Sequence, residues 1–170
     1  MQAFLIQHEG ALRAVLFFGL LAALSFAETW APRRARVVPR RAHALHNLAL
    51  VAVDTVVARL LVPAGALGVA LYAESEGLGL LHHVAWPTWL ELTIAVLALD
   101  LAIWAQHVAA HRVPVLWRVH KVHHADLDLD ATSGVRFHPI EIVLSLGWKA
   151  LVIAVLGAPP AAAVLFGVIL

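Results

Sequence analysis

Long apolar stretches separated by short polar segments dominate the chain. Three of them lie at about residues 4–26, 45–72 and 90–110, and two further apolar pieces lie within 142–170 on either side of Pro159 and Pro160. A helix needs about 20 mainly apolar residues to cross the hydrocarbon core of a bilayer. The pattern therefore predicts an all-α, integral membrane bundle with three spans and a helical hairpin over 142–170 that either crosses or re-enters the membrane.

The composition supports this prediction. Of the 170 residues, 62% are hydrophobic and only 14% are charged, and the mean hydropathy is +0.84. A soluble domain has about 45–50% apolar and about 25% charged residues, so a soluble fold and a disordered chain are both excluded. The absence of cysteine removes disulfides, thiolate metal sites and cysteine nucleophiles. We expect residues 1–170 to form a single membrane domain.

Basic residues predict the orientation in the membrane. A cluster of five arginines follows the first apolar stretch: Arg33, Arg34, Arg36, Arg40 and Arg41. Arg112, Arg118, Lys121 and Arg136 follow the third stretch, whereas the loop after the second contains Glu74 and Glu76 but no lysine or arginine. Because short cytoplasmic loops are enriched in lysine and arginine, both basic segments, and with them residues 107–141, are predicted to be cytoplasmic.

Histidines are concentrated between the third apolar stretch and the hairpin. Six of the eleven lie there: His107, His111, His120, His123, His124 and His138. His107 and His111 are one helical turn apart, and Pro114 is suited to start a new helix on which His120, His123 and His124 project to one side. Five imidazoles then point to one place, as ligands for iron, zinc, copper or nickel but not for calcium or magnesium.

Two further residues are candidates for roles at such a site. Asp100 lies seven residues before His107 and on the same predicted helix face, where its carboxylate could accept the second ring N–H of a ligating histidine. His138 is a candidate sixth ligand or a donor that orients one. Arg136 and Glu141, on either side of His138, are expected to pair with each other or to brace the loop.

The other polar residues are predicted to be structural. His8, His43, His46, His82 and His83 are assigned to packing or to the surface. Asp126, Asp128 and Asp130 resemble the start of a calcium-binding loop, but Ala131 and Phe137 stand where that loop needs glycine and glutamate. A solvated loop is therefore predicted there. Asp54 and Arg59 are poorly spaced to pair on one helix, so each is predicted to face a neighbouring helix.

The spaced motifs carry a family likeness. The series H-x-x-x-H at His107 to His111, L-W-R-x-H-K-V-H-H at Leu116 to His124 and R-F-H-P-x-E at Arg136 to Glu141 resembles the fatty acid hydroxylase/sterol desaturase superfamily. The resemblance makes His107 and His111 the first histidine box and His120, His123 and His124 the second, with Arg112 and Trp117 shaping the site. The third box, a further H-x-x-H-H cluster, is absent, since no histidine follows His138.

This resemblance implies a membrane-bound, non-haem diiron oxidoreductase. It implies that two Fe²⁺ ions activate O₂ and that a C–H bond of a lipid, such as a sterol, a fatty acyl chain or a carotenoid, is hydroxylated or desaturated. Because no redox-cofactor motif is present, electrons are expected from an external donor of the cytochrome or ferredoxin type, for which the basic cytoplasmic face is a candidate docking surface. No nucleic-acid partner is expected.

Other interpretations remain open from the sequence. A membrane protein that binds or transports a divalent metal would also use clustered histidines, although transporters place polar ligands near the middle of the membrane. A di-haem electron carrier is a weaker alternative. The missing third box predicts that the chain is C-terminally truncated, so that an inactive fragment of the oxygenase is a further alternative.

Overall fold

The computed structural model describes residues 2–32 and 34–169. These residues are 79% helical and contain no strand, which confirms the all-α prediction. Arg33 of the basic cluster and Leu170 of the predicted hairpin lie outside the described residues. The α-helices are α1 (Gln2–Gln7), α2 (Glu9–Trp30), α3 (Arg40–Leu61), α4 (Gly65–Ser75), α5 (Thr88–Arg112), α6 (Pro114–His124), α7 (Pro139–Leu156) and α8 (Pro160–Ile169).

Within residues 2–32 and 34–169, four helical segments are long and apolar enough to cross a membrane, which confirms a membrane bundle. They are Glu9–Trp30, Arg40–His83, Thr88–Arg112 and Pro139–Leu156. The segment 40–83 contains α3, α4 and a short 3₁₀ helix, Leu80–His83. Helix α8 is also apolar, but its ten residues extend for only about 15 Å, about half of the hydrocarbon thickness.

A proline divides the second apolar stretch, which the sequence predicts as one span over about 45–72 with Pro63 as an interruption. Helix α3 ends at Leu61 and α4 begins at Gly65. Pro63 has no N–H to donate and disfavours helical backbone at the residue before it, and Gly65 adopts a φ of 59°. The structure therefore has two helices, α3 and α4, in place of the one predicted span.

Small residues form the core between α4, α5, α7 and α8. Buried alanines on all of these elements but α7, including Ala70, Ala95 and Ala162, pack with Leu99 and Ile153. Small side chains let helix backbones approach each other where lipid offers no hydrophobic drive for association. This packing holds α5 and α7 side by side.

One close approach in the bundle depends on two glycines. Gly157 ends α7 in the left-handed region with a φ of 68°, and Gly79 has a φ of 104°. A methyl group on Gly79 would lie 2.1 Å from the backbone nitrogen of Gly157, which is far inside van der Waals contact. The backbone of the loop at Gly79 therefore contacts the backbone of the turn between α7 and α8 directly.

A turn separates α5 from α6, as Pro114 predicts. Helix α5 ends at Arg112, and α6 begins with Pro114 at its first position. The side chain of His138 then caps α7 by accepting a hydrogen bond of 3.1 Å from the N–H of Ile140. Together, these turns place α6 across the end of α5 and beside the start of α7.

Candidate metal centre

Four histidines converge where α5 meets α6. His107 and His111 project from α5, His120 and His124 project from α6, and one ring nitrogen of each lies within 4.8 Å of the others. The Nε2 atoms of His107 and His111 are 3.2 Å apart, as are those of His120 and His124. We call this group the histidine cluster.

The spacing of these nitrogens fits ligands that share one metal ion. An imidazole nitrogen lies about 2.1 Å from a divalent metal, so two ligands at bond angles of about 90–110° are about 3.0–3.4 Å apart. Both measured Nε2 pairs fall inside this interval, at 3.2 Å. The cluster therefore could bind a metal, and its sulfur-free donor set suits a transition metal more than calcium or magnesium.

Glu141 fixes the orientation of His120. The His120 ring is almost completely buried, and its Nδ1–H donates a hydrogen bond of 2.6 Å to Oε1 of Glu141. A proton on Nδ1 leaves the lone pair on Nε2, which faces His124. This carboxylate–imidazole pair is the arrangement that typically orients a metal-ligating histidine and raises its basicity.

The environment also favours neutral imidazole at His124. Desolvation within the cluster, followed by the positive charges that neighbouring histidines would carry, lowers the pKa of His124 below its ordinary value of 6.5. A neutral imidazole keeps the lone pair that a metal ligand needs. Trp117 lies beside this ring, with the ring centroids 5.7 Å apart, and so forms one wall of the cluster.

The other predicted site residues lie outside the histidine cluster. The ring of His123 stacks on Phe137 at a centroid distance of 4.8 Å, and its Nδ1 lies 3.3 Å from the carbonyl oxygen of Arg136. His138 caps α7 instead of facing the cluster. Asp100 is exposed and forms no hydrogen bond with a histidine among the described residues. Their roles at a metal therefore stay predictions.

Arg136 and Glu141 do not pair with each other within the described part of the chain. Arg136 donates from Nε to the carbonyl oxygen of Val122 at 3.0 Å and from Nη1 to Oδ1 of Asn47 at 3.2 Å. It thus braces the segment before α7 against both α6 and α3. The partner of Glu141 is His120, a role that the motif R-F-H-P-x-E did not reveal on its own.

The prediction of a solvated loop at Asp126, Asp128 and Asp130 is wrong. In this segment, which we call the aspartate loop (residues 126–132), all three carboxylates are nearly inaccessible to solvent or engaged by donors. Asp128 accepts hydrogen bonds from the backbone N–H groups of Val37 and Val38, at 3.0 Å and 2.7 Å. These donors lie about ninety residues earlier in the chain, so the local sequence gives no sign of them.

Two polar residues of α3 complete the aspartate loop, and neither was predicted to have this role. The Nε2–H of His43 donates to Asp126 at 2.7 Å, and its Nδ1 lies 3.1 Å from Asp130. Asn47 donates to Thr132 at 2.9 Å and to Asp126 at 3.2 Å. His43 is therefore a buried structural histidine, whereas His8, His46, His82 and His83 are exposed in the structure.

These contacts hold the aspartates in their charged form. Burial alone would raise the pKa of Asp126, but hydrogen bonds from Ser133, His43 and Asn47 outweigh it and lower the pKa from 3.8 to about 2. The pKa of Asp130 is also lowered, because hydrogen bonds from Thr132 and Arg36 outweigh its burial. The aspartate loop therefore docks as a set of ion pairs and charge-assisted hydrogen bonds.

An apolar cavity of about 370 Å³ adjoins the histidine cluster between α5, α6 and α7. His120 and Glu141 form its polar end, and the rest of its wall includes Ala109, Leu116 and Trp148. The indole N–H of Trp148 donates to the carbonyl oxygen of Ala102 at 2.9 Å, which ties α7 to α5 along this wall. The volume lies within the range of small-molecule sites, about 300–1,000 Å³.

Fold and cluster together define a helical membrane protein with a histidine-rich candidate metal centre. Residues 92–170, which include the whole histidine cluster and Glu141, match the model of the fatty acid hydroxylase family. That family is part of the fatty acid hydroxylase/sterol desaturase superfamily and is generally iron-dependent, and the match confirms the predicted resemblance over these residues. Comparisons with curated proteins and with solved structures gave no significant match.

Proposed function

We propose that this protein is an iron-dependent membrane oxygenase that uses O₂ to hydroxylate or desaturate a lipid. The main support for the proposal is that His120 and Glu141 belong both to the candidate metal centre and to the wall of the apolar cavity. A metal held by His120 would face whatever occupies that cavity. Iron is favoured over other metals because the family is generally iron-dependent.

The residues around the site have separate tasks in this proposal. His107, His111, His120 and His124 hold iron, and Glu141 fixes His120 in the tautomer that leaves Nε2 free. Bound iron supplies the activation of O₂. Trp117, against His111 and His124, limits the access of water. A second iron, implied by the resemblance, needs ligands beyond these four, and His123 and His138 are the predicted candidates.

The cavity supports a lipid as the substrate. Its wall consists mainly of apolar side chains, and Leu144 and Trp148 at its edge are 47% and 39% exposed on the outer surface of the bundle. In a membrane that surface faces acyl chains. A lipid would therefore enter sideways from the bilayer and place one C–H bond beside His120, while the apolar wall excludes water.

The proposal also includes an external electron donor at the basic face of the bundle. Arg36 and Arg40 are engaged by Asp130 and Glu28, but Arg41, Arg118 and Lys121 are exposed around the same end. We propose that this end is cytoplasmic and docks an acidic cytochrome or ferredoxin. Docking of this kind weakens as salt rises, so donor-dependent turnover should fall between 50 mM and 500 mM NaCl if it is electrostatic.

Metal analysis of the purified full-length protein tests the proposal most directly. We expect iron in the protein as isolated and O₂-dependent oxidation of an added lipid, and two irons per chain would support the second metal. One iron would support the cluster and contradict the second ion. Zinc alone without lipid oxidation would contradict the oxygenase and favour a metal-binding protein.

Filling the cavity tests the place of the substrate separately. In Ala109→Phe the new ring occupies the space beside His120, so lipid oxidation should fall at least tenfold while the bound iron is retained. Ala52→Phe, which adds the same ring to an exposed position on α3, is the matched control and should keep its activity. Equal activity in the two variants would exclude this cavity as the substrate site.

A further inference from the structure

A second cavity of about 350 Å³ lies far from the histidine cluster and is not used by the proposed function. It is formed by the first turns of α2, the last turns of α3, the start of α4 and the facing sides of α7 and α8. Its wall contains three cationic side chains, Arg13, Arg59 and Lys149, and one carboxylate, Glu9. We call it the basic cavity.

The charges of the basic cavity do not balance. Glu9 accepts a hydrogen bond of 3.0 Å from Arg13 and so neutralises one cation. Arg59 and Lys149 form no ion pair or hydrogen bond within the part of the chain that the structure describes, and the Nζ of Lys149 lies 5.4 Å above the ring of Phe166. Two positive charges therefore face the cavity without an acidic partner from residues 2–32 and 34–169.

The depth of the cavity makes this imbalance costly. Arg59 lies nineteen residues after Arg40, so it is about 28 Å along α3 from the end that holds the aspartate loop. Lys149 lies within α7, a segment apolar and long enough to span a membrane. Cations within membrane-spanning segments are expensive unless they reach the interface or meet an anion. An anion bound in the basic cavity, towards the end of α3 opposite the aspartate loop, would offset this cost.

The cationic side chains of the cavity and the apolar residues beside it favour a ligand that has a phosphate group and acyl chains. A guanidinium presents paired N–H donors that match phosphate oxygens, and an ammonium adds a compact charge with three donors. Next to Arg59, Leu60 and Leu61 are 75% and 61% exposed on the bundle surface, where acyl chains can lie against them. Basic pockets between membrane helices are known to hold anionic headgroups.

We propose that the basic cavity binds the phosphate headgroup of an anionic phospholipid, held by Arg13, Arg59 and Lys149. This lipid is a bound structural ligand, separate from the substrate that the histidine cluster is proposed to oxidise. It joins α2, α3 and α7 at one point, so its binding should stabilise the bundle against thermal unfolding.

Thermal unfolding of the full-length protein in dodecyl maltoside, followed by circular dichroism, tests this proposal without depending on iron or activity. Phosphatidylglycerol should raise the midpoint temperature in a saturable way, whereas phosphatidylcholine should not. In Arg59→Gln and Lys149→Met the midpoint concentration of phosphatidylglycerol should rise about fivefold for each lost charge. Because Arg59 is exposed, its variant is expected to fold even if Lys149→Met does not.

Control variants separate this site from general attraction of lipid to basic surfaces. Arg41→Gln removes an exposed guanidinium from the other end of α3 and should leave the response unchanged, and Glu9→Gln should strengthen it. Equal stabilisation by phosphatidylcholine, or equal weakening in Arg41→Gln and Arg59→Gln, would overturn the proposal. Saturation by millimolar inorganic phosphate in place of the lipid would identify a free-phosphate site and contradict the lipid as its ligand.

Discussion

The histidine cluster and the aspartate loop are neighbours in sequence, yet their polar groups are arranged in opposite ways. In the aspartate loop, each acidic side chain faces donors, such as Val37, Val38 and His43. In the histidine cluster, imidazoles face one another, with their Nε2 atoms 3.2 Å apart in two pairs. The first region is complete within the protein, whereas the second brings like groups together around a common point.

This difference distinguishes a structural polar network from a binding site. Buried polar groups that are paired with complementary groups stabilise a fold, whereas convergent groups of the same kind lack partners until a ligand arrives. Removal of a group should therefore lower stability in the aspartate loop and metal binding in the histidine cluster.

The largest effect is expected for His124→Ala. The variant loses one of the four nitrogens of the histidine cluster, so iron affinity should fall at least about 100-fold, while the unfolding temperature of the metal-free protein stays within a few degrees. Metal content by mass spectrometry and thermal unfolding measure the two quantities. His83→Ala, at an exposed histidine outside the cluster, should change neither. Full iron content in His124→Ala would refute its assignment as a ligand.

Asp126→Ala should show the opposite pattern. It leaves His43, Asn47 and Ser133 without their shared acceptor, and breaking such a buried pair typically costs about 3 kcal/mol. Chemical unfolding in detergent should detect this loss, and Glu76→Ala, at an exposed acid, is the control. Wild-type stability in Asp126→Ala would show that the aspartate loop does not hold the bundle together.

A smaller effect on metal affinity is expected for Glu141→Gln. Glutamine still accepts the Nδ1–H of His120 but carries no charge, so the imidazole becomes a weaker donor to a metal. Substitutions of this kind reduce metal affinity by at least about tenfold, which competition with a chelator would measure. Glu76→Gln serves as the control. Unchanged affinity would mean that Glu141 only positions α7.

The smallest effect is the response of the aspartate loop to acid. The folded pKa of Asp130 lies below 3.8, because hydrogen bonds from Thr132 and Arg36 favour its charged form. Its stabilisation is therefore complete above about pH 5 and is lost as the pH falls through the folded pKa. Unfolding temperatures between pH 6 and pH 3 should show this decline, and Asp130→Asn should flatten it. An equally steep decline in the variant would assign the effect to other acids.

The sequence predicts the helical membrane fold and the meeting of α5 and α6 because both depend on local features. Apolar stretches, Pro114 and the one-turn spacing of His107 and His111 are visible within short windows. The partners of the aspartate loop are not, since Val37, His43 and Asn47 lie some eighty to ninety residues away from it. Acidic residues next to turns normally indicate exposure to solvent. Here their hydrogen-bond donors come from distant parts of the chain that only the folded structure brings close.

The same reason explains what the site prediction lacked. Spacing along a helix predicts that His120, His123 and His124 all face the first pair, and the structure brings His120 and His124 to that pair. Spacing does not separate His123 from them, because three residues on one side of a helix still differ in direction. The ring of His123 meets Phe137, a contact made by the loop before α7. Glu141 reaches His120 only because α7 starts beside α6.

The contact between Gly79 and Gly157 limits how this sequence can vary. A substitution that enlarges one buried side chain is tolerated best when a neighbouring side chain becomes smaller, so that the total volume is kept. Neither glycine has a side chain to remove, and both occupy left-handed or otherwise positive φ values. A substitution at either position therefore has no compensating partner at the other, so related sequences that keep this junction should retain both glycines together.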